Sequence, residues 1–142
     1  MDESGFVDLL EDNGKKIFTV FEDLVISGGF ELVPTGKGFH LCVLKGDKKV
    51  KTMQIWPAPK NWLESRIQYI EEDIALTDEA KNSIRALLAN IGFRPTKGDH
   101  GNMRFVFGSQ KQREIEGSEL DRLERNLRSI AKLMESSDLK TS

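Results

Sequence analysis

The sequence is short of the residues that carry much of enzyme chemistry. It has one cysteine, Cys42, so an intrachain disulfide and a cysteine-built zinc site are both excluded. Its two histidines, His40 and His100, share no fixed carboxylate spacing, so no metal site is expected from motif. No glycine-rich phosphate loop and no Gly-x-Ser-x-Gly elbow occurs, and no cofactor is expected. No run reaches the 18 or so apolar residues of a membrane span. The start, Met1-Asp2-Glu3-Ser4, is acidic where a secretory signal is basic. These absences lead to the expectation of a cytoplasmic protein without a membrane partner. Charge of one sign is lacking too, since the formal net charge is −2.

What is present suffices for a core. The 142 residues are 38% apolar and 31% charged, which suits one compact domain or two very small ones and excludes a wholly disordered chain. The near-neutral total hides a local pattern. The stretch 37–51 sets Lys37, Lys45, Lys48, Lys49 and Lys51 against Asp47 alone, and 94–113 sets Arg94, Lys97, Arg104, Lys111 and Arg113 against Asp99 alone. Such segments are either solvated hairpins or local contacts for phosphate.

Periodicity organises the rest. Ile17, Phe21, Leu24 and Val25 recur at helical spacing after a break at Asn13-Gly14, and Gly28-Gly29 ends the run. Strands are expected over 30–33, 39–45 and 50–56, the last stopped by Pro57 and Pro59. Leu63, Ile67, Ile70 and Ile74 predict a helix with one apolar face. Thr77 is a good N-cap for a helix carrying Ile84, Leu87, Leu88 and Ile91, which Gly92 ends. Short strands are expected at 93–95, 103–107 and 112–116, then a helix capped by Ser118. In it Leu120, Leu123, Leu127, Ile130 and Met134 form a seam that faces either its own sheet or a partner.

The halves run in parallel. Each reads helix, strand, strand, strand, helix. Gly29-Phe30 matches Gly92-Phe93, Pro34-Thr35 matches Pro95-Thr96, and Lys37-Gly38-Phe39-His40 matches Lys97-Gly98-Asp99-His100. Four features agreeing in order point to a tandem duplication. The expectation is an α+β protein of two α-β-β-β-α units packed together, each an antiparallel three-stranded sheet with helices on one face. The boundaries are a lead over 1–14, units over 15–75 and 76–136, and a disordered tail over 137–142.

The string Gly29-Phe30-Glu31-Leu32-Val33 followed by Lys37-Gly38-Phe39-His40-Leu41-Cys42-Val43 resembles the HicA-type toxins, small RNA-cleaving proteins with a fold like the double-stranded-RNA-binding domain. The second half resembles them through Gly92-Phe93, Lys97-Gly98-Asp99-His100 and the 103–107 strand. The family carries Ser before the His, where this chain has Phe39 and Asp99. The resemblance implies RNA as partner and His100 and His40 as catalytic bases on a 2′-hydroxyl, without a metal. It also implies phosphate contacts from Lys37, Lys97, Arg94, Arg104, Lys48 and Lys111, and a companion antitoxin. Imidazole suits proton transfer near neutral pH.

Other readings stay open from the residues themselves. Each His is equally a structural or solvent-facing strand residue. Trp56 and Trp62, on either side of the proline segment, are core packing or surfaces for base stacking. Cys42 reads as a buried, unreactive thiol. The competing class is a non-enzymatic protein-interaction module, such as an inhibitor, adaptor or chaperone. In that reading the 118–136 helix is also a candidate homodimer seam.

Overall fold

The computed structural model describes residues 3–96, 102–107 and 114–140. In chain order the elements are α1 (Glu3–Val7), α2 (Asp12–Ser27), β1 (Phe30–Thr35), β2 (Gly38–Lys45), β3 (Lys48–Trp56), β4 (Trp62–Arg66), α3 (Ile67–Glu71), β5 (Ile74–Ala75), α4 (Asp78–Ile91), β6 (Arg94–Pro95), β7 (Asn102–Val106), α5 (Gly117–Glu135) and β8 (Asp138–Leu139). The protein is therefore mixed α+β.

Several elements follow directly from local chemistry. Gly28 and Gly92 close α2 and α4 at φ 94° and 123°, a region that a Cβ disfavours. Thr77 caps α4 by accepting a 3.0 Å bond from the Ala80 N–H. Helix α5 is capped two residues earlier than the expected Ser118. Its cap is Glu116, which forms a reciprocal capping box with Glu119.

The sheets differ from expectation. Strands of both halves lie side by side in one six-stranded antiparallel sheet, in the order β1-β2-β3-β4-β7-β6. The join is the pairing of β4 with β7, from Trp62 opposite Val106 to Arg66 opposite Asn102. The expected helix from Leu63 to Ile74 is divided into β4, α3 and β5. Leu63 alternates with Trp62 and Glu64, and two flanking strands satisfy its backbone, so strand pairing wins over helical spacing there. The expected strand at 112–116 is not found where it can be judged: residues 114–116 are not in a strand, and 112 and 113 lie outside the described residues.

The ends are also more structured than their composition implies. Phe6 of the expected lead is fully buried, packed against Phe18 at 5.3 Å and Phe39 at 5.0 Å between ring centroids. Asn13-Gly14 lies inside the first turn of α2 rather than before it. The Asn13 side chain donates to the Phe107 carbonyl at 3.1 Å and accepts from the Ile115 N–H at 3.0 Å, tying the start of α2 to the far half of the chain. In the tail, Asp138 and Leu139 pair with Ala75 and Ile74.

One face of the sheet carries the core. Phe39, Leu41, Ile55 and Leu63 point to it and meet α1, α2, α4 and α5. The α5 seam is spent here: Leu123, Leu127, Ile130 and Met134 are all buried, so this stripe is not available as a homodimer seam. Burial of such a side chain stabilises by about 1.5–3 kcal/mol. Asn126 adds a polar tie from α5 to α4, donating to the Leu87 carbonyl at 2.9 Å and to Asn90 at 3.0 Å.

Candidate functional site

Side chains alternate across a strand, so the residues between the core positions emerge on the opposite face. The register sets them in rows. One row runs Val33, His40, Gln54, Glu64, Arg104 and Arg94 across β1, β2, β3, β4, β7 and β6. The next runs Trp56, Trp62 and Val106. The helices α2, α4 and α5 lie on the core side, and Tyr69 from α3 reaches over this second face.

The second face is built of cations laid on aromatic rings. The Arg104 guanidinium lies 4.2 Å from the Trp62 ring centroid. Lys60, in the turn after Pro59, sits 4.1 Å over Trp56 and 5.4 Å over Trp62. Tyr69 meets Arg66 at 5.3 Å and Lys51 at 5.8 Å. A ring face attracts a cation through its quadrupole, and each such contact at an exposed site is worth about 0.5–1 kcal/mol.

One carboxylate organises the centre. Glu64, 5% exposed, accepts from Arg104 Nε at 2.8 Å and from Arg66 Nε at 3.1 Å. Arg94 stands directly opposite Arg104, a like-charge pairing that costs free energy in a sheet. Among the described residues no carboxylate pairs with Arg94, Lys51 or Lys60. Both indole Nε1 atoms, of Trp56 and Trp62, are buried without a hydrogen-bond partner.

The residues singled out from sequence are scattered by the fold. Arg94 and Arg104 come together on this face. Lys37 is exposed in the β1–β2 turn, and Lys48 is exposed at the opposite end of β2, where β3 begins. His100, Lys97 and Lys111 lie outside the described residues. His40 is 7% exposed, edge-on to Tyr69 at 5.9 Å, and its Nδ1 has no partner. Burial, with help from Lys51, pulls its pKa down to about 4. The imidazole is therefore neutral at pH 7, a weak base, and shut away from a macromolecular substrate. Cys42 is buried in β2, and burial pushes its thiol up to about 11.

The remaining lysines of the 45–51 hairpin divide by role. Lys45 donates to the Glu135 carbonyl at the end of α5, at 2.6 Å, where the helix dipole favours a cation. Lys49 pairs with Glu31 at 3.2 Å. Lys51 belongs to the basic 37–51 stretch, whereas Lys60, Arg66 and Tyr69 do not stand out from sequence. The alternation Trp62-Leu63-Glu64-Ser65-Arg66 was the available signal for this face.

Among the described residues no group of three or more His, Cys, Asp or Glu could hold a metal ion. No helix there is long and apolar enough to cross a membrane. Comparison with protein-family models, with curated proteins and with solved structures finds no match to this chain.

Proposed function

We propose that the protein binds RNA on the sheet face opposite its long helices. The observation that carries this reading is the clustering of Lys51, Lys60, Arg66, Arg94 and Arg104 around Trp56, Trp62 and Tyr69, in a chain whose net charge is −2. Glu64 is buried beneath two of these cations, so the face presents positive charge outward. Cations contact phosphate, and rings between them offer surfaces to bases. The resemblance to HicA-type toxins stands beside this reading, supported by the α-β-β-β order of residues 12–56. Descent of both halves from one copied unit belongs to the same proposal. Its support is the α-β-β order of α2-β1-β2 and α4-β6-β7, with the two hairpins at opposite ends of the sheet.

No cleavage step is assigned to His40, which is buried with an acid–base range far below neutral, and His100 lies outside the described residues. Affinity for labelled RNA, measured at two salt concentrations, tests the binding. It should fall steeply with salt, with a log–log slope of about −0.7 per single-strand phosphate neutralised. Lys51→Ala with Arg94→Ala should flatten that slope. Absence of binding at low salt removes the reading. In an RNA degradation assay, any cleavage by the wild type that is lost in His40→Ala/His100→Ala would restore the catalytic reading.

The competing protein-interaction module draws on a different place. A groove of about 390 Å³ between α4 and the β6–β7 edge is lined by Ala86, Ala89, Phe93, Pro95 and Met103, and shares only Arg94 with the cationic face. Edge strand β6 beside it could accept an added strand. A protein partner that competes with RNA for neither Arg104 nor Lys60 would favour that reading.

A further inference from the structure

We infer that the nucleic acid taken by this face is single-stranded, with unpaired bases stacked on the Trp56–Trp62 pair and Lys60 passing from the rings to a phosphate. The inference rests on the RNA-binding reading and specifies its substrate class.

A duplex offers a protein its phosphates, its 2′-hydroxyls and the edges of its bases. The flat faces of those bases are already stacked on one another. Proteins that grip duplex RNA therefore read shape across the minor groove, whereas aromatic side chains serve unstacked bases. Trp56 and Trp62 are paired partners on the two central strands, at the end where β3 and β4 meet their turn. Both are only partly buried. A surface meant only for phosphate has no need of two indoles there.

The cations are arranged for a strand crossing the sheet. From Trp56 on β3 to Arg94 on β6 is three inter-strand steps, about 14 Å at the usual spacing, so the path suits only a few nucleotides. Arg104 already lies against Trp62 and is fixed there by Glu64, so it is a second planar layer on which a base can stack. Lys60 differs from Arg104. It is exposed, pairs with no carboxylate among the described residues, and is held only by its two ring contacts. A base entering over either indole displaces it, and the released ammonium is then beside the phosphate of that same nucleotide.

The chain's two tryptophans are both in this site, so intrinsic emission reports on it without a label. The experiment titrates the full chain with a single-stranded RNA of mixed sequence and with the same strand annealed to its complement. Tryptophan emission and the anisotropy of end-labelled RNA are followed together. The expected result is binding of the single strand at least tenfold tighter than of the duplex, with emission quenched in step with binding. Trp62→Phe should keep most of the affinity, and Trp62→Leu should lose tenfold or more. Circular dichroism on both variants checks that they fold. Lys60→Ala should shift the emission of the free protein while leaving the quenching by single strand in place. Equal affinity for duplex and single strand, or binding without any change in emission, overturns the inference and leaves RNA binding standing. No binding of either form at low salt overturns the RNA reading itself.

Discussion

Glu64 and Arg104 face each other across the β4–β7 pair, with Arg104 Nε donating to Glu64 Oε2 at 2.8 Å. The other carboxylate oxygen accepts from Arg66 at 3.1 Å. One buried acid thus orients two guanidinium groups, one against Trp62 and one against Tyr69. Glu64→Gln keeps the shape and removes the charge. The two arginines are one-third exposed, so water compensates in part. The expected cost is about 2 kcal/mol, near the low end for hydrogen bonds to charged groups. A urea melt measures it; an unchanged midpoint would show that the triad contributes nothing to stability.

His40 predicts a pH dependence of folding. Its pKa is about 4 in the folded chain and 6.5 when exposed. Between those values the unfolded state binds more protons, so stability is full above pH 6.5 and is lost as pH falls toward 4. The loss from this one group is up to about 3 kcal/mol. Urea midpoints at pH 7, 6 and 5 should fall for the wild type and fall less for His40→Gln. Parallel pH profiles in the two proteins would contradict the burial argument.

Gly14 sits in α2 at a close approach. A Cβ there would lie 2.8 Å from Phe107 Cε1 and 3.2 Å from Leu10 Cβ, both in the core. In an open helix Gly→Ala stabilises by about 0.5–1 kcal/mol. Here overpacking outweighs propensity, so Gly14→Ala should destabilise by about 1–3 kcal/mol. Thermal melting gives the sign, and a raised melting temperature would refute it. Gly38→Ala should be worse, because its Cβ would fall on the Ile55 carbonyl oxygen, which the sheet holds in place.

Cys42 should be inert in the native protein. It is buried in β2, and its thiol is pushed up to about 11. A thiol reagent at pH 8 should label it only after denaturant is added, since the thiolate is the nucleophile. Rapid labelling of the folded chain would place it elsewhere.

Much of the backbone is written locally. Thr77 caps α4, Gly28 and Gly92 end their helices, and the Leu120–Met134 seam marks a helix that buries one stripe. These signals act within one or two turns, so they survive without knowledge of the fold. The segment 62–74 does not carry such a signal. Leu63, Ile67, Ile70 and Ile74 fit a helical face, yet Leu63 also fits a strand between Trp62 and Glu64. Pairing with β7, some forty residues further along, decides between them. The one-sheet architecture follows from that same distant pairing. The candidate site was reachable only in part for a related reason. Trp56, Trp62, Arg94 and Arg104 stand out as residue types, but their union with Lys60, Arg66 and Tyr69 depends on register across four strands. His40 shows the converse: its motif suggests chemistry, and its burial withdraws it.

Amide and indole chemical-shift mapping of the labelled protein, titrated with unlabelled single-stranded RNA, tests the account most directly. The largest shifts should fall on the Trp56 and Trp62 indoles and on Lys60, Arg66, Arg94 and Arg104, with α2 and α5 almost unmoved. Shifts concentrated on the helices or on the Lys37 turn, with both indoles unchanged, would contradict it.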